Sequence, residues 1–208
     1  LGDVYKRQDA IGCLVRGATS DVVLIEMVDA TVSHGELPEI AVEDVFMAFL
    51  HKAADLSGRV SGYARAIALE GAFRLAASTR RLQFRLLDVL LGIKASDEPT
   101  FLRYAAKIMG VAHSHWREVE LLCILKGLAE CEEAAYDASF EMGMAGLTSA
   151  LDESRRDVAD SLFKDALFWF KKAEATRETA PEAVLYGECL TLLTDFEAHR
   201  SKLELNRR

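Results

Sequence analysis

The sequence predicts an all-α protein, on three observations. Ala (30) and Leu (28) supply 58 of the 208 residues, and both favour helix. Val, Ile and Thr together number only 30, a weak supply of strand formers. Gly and Pro total 16, scarce punctuation for a fold of many short strands. Half of the residues are hydrophobic, 28% are charged and the net charge is −8, which excludes a disordered acidic tail. No apolar run reaches the roughly 18 residues of a membrane span. The densest, residues 82–93, is broken by Gln83, Arg85 and Asp88.

From residue 20 onward the apolar pattern resolves into eight or nine helical segments, expected to stack antiparallel as helical hairpins. The first two, 21–34 and 42–56, are separated by His34-Gly-Glu-Leu-Pro38. Segment 59–78 keeps Ala64, Ala68, Gly71, Ala72 and Ala76 at three- and four-residue spacing. Small side chains let helix axes approach closely, so this segment is expected in the interior. Segment 80–93 carries the densest apolar run, and 98–111 starts where Ser96-Asp-Glu-Pro99 interrupts the pattern. Both Pro38 and Pro99 read as boundaries rather than kinks. Segment 115–136 is apolar on most of its circumference from Val119 to Ala129, which predicts cover on two sides. Segment 138–150 follows.

The last two segments, 155–178 and 181–204, carry the clearest stripes. In the first, Val158, Leu162, Ala166, Trp169 and Ala173 share a face widened by Ala159, Phe163 and Phe170. In the second, Leu185, Cys189, Leu192, Phe196 and Leu203 form a seam widened by Tyr186, Leu190 and Leu193. Ser154-Arg-Arg-Asp157 and Thr179-Ala-Pro-Glu182 each place a hydroxyl at the cap and a carboxylate three residues on. The short connection at 178–180 predicts that the two segments pack antiparallel.

At the N-terminus, Leu1-Gly-Asp-Val-Tyr-Lys-Arg-Gln8 resembles translated adapter sequence. Residues 1–19 are therefore read as an unstructured remnant, and 20–208 as a single helical domain, expected to be a fragment of a longer chain. Cys13, Cys123, Cys131 and Cys189 show no C-x-x-C spacing and read as small core residues, which suits a cytoplasmic location.

Many short helices in series prompt a search for repeats. Ala166, Phe170 and Ala173 place a small residue, an aromatic four on and a small residue three further, followed by Pro181. This resembles the second helix of a tetratricopeptide repeat, although the family places its proline about three residues earlier. The resemblance covers about one repeat. No W-x2-L-G-x2-Y helix stands upstream, and no second copy follows at a 34-residue period. It implies a degenerate α-solenoid, favoured over a compact irregular bundle, and a protein-binding role.

Charge is unevenly spread. Residues 1–58 hold 4 basic and 10 acidic side chains, 59–107 hold 9 and 4, and 108–208 hold 12 and 19. In the basic middle, Arg74, Arg81 and Arg85 would share one face if the backbone were helical through Ser78-Thr79, with Arg80 beside them. Guanidinium groups present paired donors to carboxylates or phosphates, so such a stripe suits an acidic peptide or a phosphorylated ligand. The competing reading is a solvated face or pairing with the acidic outer segments. Phe168 lies off the apolar stripe, between Lys164 and Lys171/Lys172. Either another helix covers it, or it anchors a partner with the lysines as rim.

Other chemistry is not indicated. His113 and His115 are two residues apart and would point to different sides of a helix. The His115/Glu118 and Asp195/His199 pairs do not complete a coordination sphere, so neither a metal nor any other cofactor is expected. Cys123 and Cys131 lie in apolar sequence, which raises a thiol's pKa, and read as packing. Glu130, Glu132 and Glu133 read as a solvated face near a helix end. There is no G-x-x-x-x-G-K or G-x-G-x-x-G, and no catalytic residue is assigned. Nucleic acid is disfavoured by the pI of 5.2 and by the lack of aromatics among the arginines.

The leading expectation is a non-enzymatic scaffold or sensor module that binds a peptide or partner helix. The alternative is a small helical enzyme or ligand-binding domain with an inter-helix pocket. A third reading is a homo-oligomer meeting through segments 59–78 and 115–136. A solenoid predicts an elongated shape in solution scattering, an enzyme a closed pocket with converging polar groups, and an oligomer a multiple of the monomer mass.

Overall fold

Every element of regular structure among the described residues is an α-helix. The computed structural model describes residues 17, 23–28, 39–77, 79–116, 118–177 and 182–191. In chain order the helices are α1 (residues 23–28), α2 (Glu39–Ala53), α3 (Gly62–Ala76), α4 (Arg80–Leu91), α5 (Pro99–Trp116), α6 (Val119–Leu128), α7 (Ala135–Asp152), α8 (Arg156–Ala175) and α9 (residues 182–191). The backbone groups into two compact units, Leu1–Ile108 and Met109–Arg208, with the boundary inside α5.

In the first unit α2 packs along α3, and α4 packs on both. The small face of α3 is buried as its spacing predicts: Ala64, Ala68, Ala72 and Ala76 are inaccessible to solvent. Gly71 shows why size matters, since a Cβ there would stand 2.9 Å from the Val28 Cγ2 methyl and 3.1 Å from the Phe49 ring. The helix starts at Ser61, whose Oγ accepts from the Ala64 amide at 3.0 Å. Helix α4 buries Leu82, Leu86 and Leu90 at four-residue spacing. Pro99 is the first residue of α5, where a missing amide costs nothing. Ahead of it, Glu98 accepts the Phe101 amide at 3.1 Å. Pro99 is thus a boundary, as the sequence predicts; Pro38 and Pro181 lie outside the described residues.

In the second unit α7 packs along α8, and α6 packs on α7. A Cβ on Gly143 would stand 2.7 Å from the Phe170 ring, so this crossing also depends on a missing side chain. Around the ring, Phe140 meets Phe170 edge-on at 5.6 Å and Tyr186 at 5.8 Å, while Phe170 stacks on Tyr186 at 5.2 Å. Ala166, Phe170 and Leu190 form the buried centre, with Leu147, Phe163 and Leu167 packed against it.

Three sequence expectations need correction here. Segment 115–136 is not one helix: α6 stops at Leu128 and a turn leads into α7 at Ala135. Its burial is one-sided, on Leu121, Leu125 and Leu128, with Val119 65% exposed. Glu130, Glu132 and Glu133 are exposed near a helix end, as the sequence reads them, and they precede the start of α7, where negative charge meets the positive end of a helix dipole. Second, the cap of α8 is Arg155 rather than Ser154. The Glu153 carboxylate takes the Arg155 amide at 2.9 Å, a bond that lowers the Glu153 pKa. Third, the seam of the last helix is rotated: Ala183 and Leu190 are buried and Tyr186 packs in the cluster of Leu190, while Leu185 is 59% exposed. Leu192, Leu193, Phe196, Leu203 and the Thr179 cap lie outside the described residues.

Candidate functional site

The three arginines singled out by sequence do not share a continuous helix. Helix α3 ends at Ala76 and α4 begins at Arg80, so the backbone breaks between Arg74 and Arg81. Arg74 pairs within α3 with Glu70, four residues earlier. Arg81 and Arg85 reach α2, where both guanidinium groups meet a single oxygen, Glu43 Oε1, at 3.2 and 3.4 Å. Arg85 Nη1 also donates to the Met47 sulfur at 3.1 Å. Exposed pairs like these contribute well under about 1 kcal/mol each. One carboxylate facing two guanidinium groups leaves the patch positive, and beside it Arg80 lies 5.6 Å from the ring centre of the exposed Phe84.

On α8 the solvent face runs through Lys164, Asp165, Phe168 and Lys171. Phe168 is 60% exposed, so no described helix covers it. Its ring meets Trp169 edge-on at 5.3 Å. The third lysine is otherwise engaged: Lys172 pairs with Glu130 and lies 5.1 Å from the Trp169 ring centre. Lys164 and Lys171 make no ion pair among the described residues. The result is an aromatic group with an unpaired cation one helical turn to each side and one carboxylate, Asp165, between them.

The cysteines are not the core residues the sequence suggests. Cys123 and Cys189 are exposed, Cys131 is half-buried, and Cys13 lies outside the described residues. Apolar neighbours in sequence misled here, because Cys123 faces away from the Leu121–Leu125–Leu128 stripe. The Cys131 thiol donates to Glu133 at 3.0 Å, a bond that, with burial, pushes its pKa up and blunts it as a nucleophile. His113 is buried with Nδ1 3.0 Å from the Glu118 carbonyl oxygen, while His115 is exposed. Among the described residues no three His, Cys, Asp or Glu side chains gather as metal ligands do. No described helix is long and apolar enough to cross a membrane.

Sequence reasoning passed over Arg65, the buried charged residue of the small-residue helix α3. Its signal was legible: a charged residue set among Ala64, Ala66, Ile67, Ala68 and Leu69 sits on the covered part of the helix and must find a partner inside. Arg65 finds the Ala53 carbonyl, 2.9 Å from Nε. Comparison with known proteins adds no assignment: no protein-family model, curated protein or solved structure matches the chain.

Proposed function

We propose that the protein is a non-enzymatic helical interaction module of scaffold or sensor type that binds an acidic peptide or partner helix. The observation that carries this reading is Phe168, an exposed ring with Lys164 and Lys171 unpaired at its edges. An exposed aromatic group costs water contact until a partner covers it, and a charged rim selects a partner of opposite sign. Arg81, Arg85 and the Arg80–Phe84 pair offer similar chemistry in the first unit, with Arg74 held more closely by Glu70.

The scaffold we propose is a degenerate, tetratricopeptide-like stack of antiparallel helical hairpins. Contact order supports it. Across α8 and α9, Ala173 packs with Ala183, Phe170 with Tyr186 and Ala166 with Leu190, so one number falls as the other rises. Across α7 and α8, Gly143 meets Phe170 and Gly146 meets Ala166. Free exposed thiols at Cys123 and Cys189 suit the reducing cytoplasm, where we place the protein.

Panning a library of acidic helical and extended peptides against the protein tests the reading. Selected peptides should lose at least tenfold in affinity on Phe168→Ser or on Lys164→Glu with Lys171→Glu. Arg81→Glu with Arg85→Glu should weaken them less. Recovery of no peptide, or binding that survives both α8 variants, would remove this surface from the proposal.

A further inference from the structure

In α3 the buried Arg65 has only part of its hydrogen-bonding capacity occupied. Its side chain is 8% exposed. Nε donates to the Ala53 carbonyl, Nη2 lies 3.5 Å from Asp97 Oδ1, and Cζ stands 3.9 Å from the centre of the Phe101 ring. A guanidinium carries five N–H donors. Nη1 has no partner among the described residues. Among the described residues only Ser139 Oγ is sealed from solvent without a partner, so Nη1 keeps some contact with water, and a ligand oxygen in the cleft that Arg65 lines would take that water's place.

A cleft of about 190 Å³ in the first unit is lined by Arg65 and Asp97 together with the apolar groups of Leu56, Val89, Ile93 and Phe101. An apolar cavity of ~150 Å³ holds benzene, so this space suits about one aromatic ring with a short substituent. Charge narrows the choice further. Asp97 already balances Arg65, and no second cationic side chain lines the cleft. A ligand carboxylate would therefore bring uncompensated charge beside Asp97, whereas a neutral carbonyl oxygen accepts from the guanidinium without it.

We propose that this cleft binds a small, uncharged, largely apolar molecule of about one ring that presents a carbonyl oxygen to Arg65. The site is independent of the peptide-docking surface on α8. Three probes of matched size test it by NMR titration of the whole chain: acetophenone, ethylbenzene and benzoate. Acetophenone should shift the methyl signals of Leu56, Val89 and Ile93 saturably, and bind roughly tenfold tighter than ethylbenzene, the low end for a hydrogen bond from a charged donor. Benzoate should bind more weakly than acetophenone. Val89→Trp, which fills the cleft from a half-buried wall and leaves Arg65 in place, should abolish the shifts. Absence of saturable shifts, or shifts that persist in Val89→Trp, overturns the site. Equal affinity for acetophenone and ethylbenzene overturns the role of Arg65, and tightest binding by benzoate overturns the uncharged class.

Discussion

In the first unit the Phe49 ring lies against Gly71 with the Val28 methyl beside it; in the second the three atoms nearest a Cβ on Gly143 all belong to the Phe170 ring. Both contacts set a phenyl group on a helical glycine, yet the surroundings differ. Around Phe49 the core is broad, with Val45, Phe46, Ala48 and Ala53 of the same helix buried as well. Around Phe170 it is narrow: of the twenty residues in α8, only Ala166, Phe170 and Ala173 are buried. Large rings, Phe140 and Tyr186, close that gap from neighbouring helices. A helix with a thin buried stripe concentrates its stabilisation in one large side chain, whereas a broad face distributes it.

Breaking the comparison most directly means removing the rings. Phe170→Ala should cost about 3–5 kcal/mol, with the Phe49→Ala loss smaller because its neighbours are placed to close part of the cavity. Urea denaturation followed by circular dichroism checks the order, and equal losses would show that the two faces share load alike. A finer probe adds a methyl group to each glycine. Gly143→Ala pushes a Cβ to 2.7 Å from a fully buried ring and should destabilise by about 1–2 kcal/mol, after the gain in helix propensity is subtracted. Gly71→Ala meets the buried Val28 methyl at 2.9 Å and the buried Phe49 ring at 3.1 Å and should destabilise by about 1 kcal/mol, less than Gly143→Ala because its contacts are longer. Thermal melts of the two variants separate these outcomes. The smallest effect belongs to Ser139, buried in α7 with its Oγ unpartnered. Ser139→Ala should be neutral or stabilise by up to about 1 kcal/mol, and a clear loss would reveal a hydrogen bond that this geometry lacks.

Helix class and most helix positions were legible in the sequence because composition and three- to four-residue spacing act locally. The interior position of α3 followed from its small residues, and the start of α5 from Pro99. What failed was choosing between two stripes of equal periodicity. In 182–191 the Leu185–Cys189 line and the Ala183–Tyr186–Leu190 line both satisfy helical spacing, and bulk favoured the wrong one. The smaller Ala183 is fully buried, and Leu185 faces solvent. The cysteines failed for a related reason, since an apolar neighbourhood along the chain says nothing about direction around the helix axis. The arginine stripe depended on continuity through Ser78-Thr79, and a conditional of that kind needs coordinates.

The placement of the two units also has a spectroscopic consequence. Both tryptophans of the chain, Trp116 and Trp169, fall within Met109–Arg208. Indole emission therefore follows that unit alone, while far-ultraviolet dichroism follows all the helices. Trp169, with Phe168 at its edge and Lys172 near its face, reports directly on the proposed docking surface, so the native chain carries its own optical probe of peptide binding.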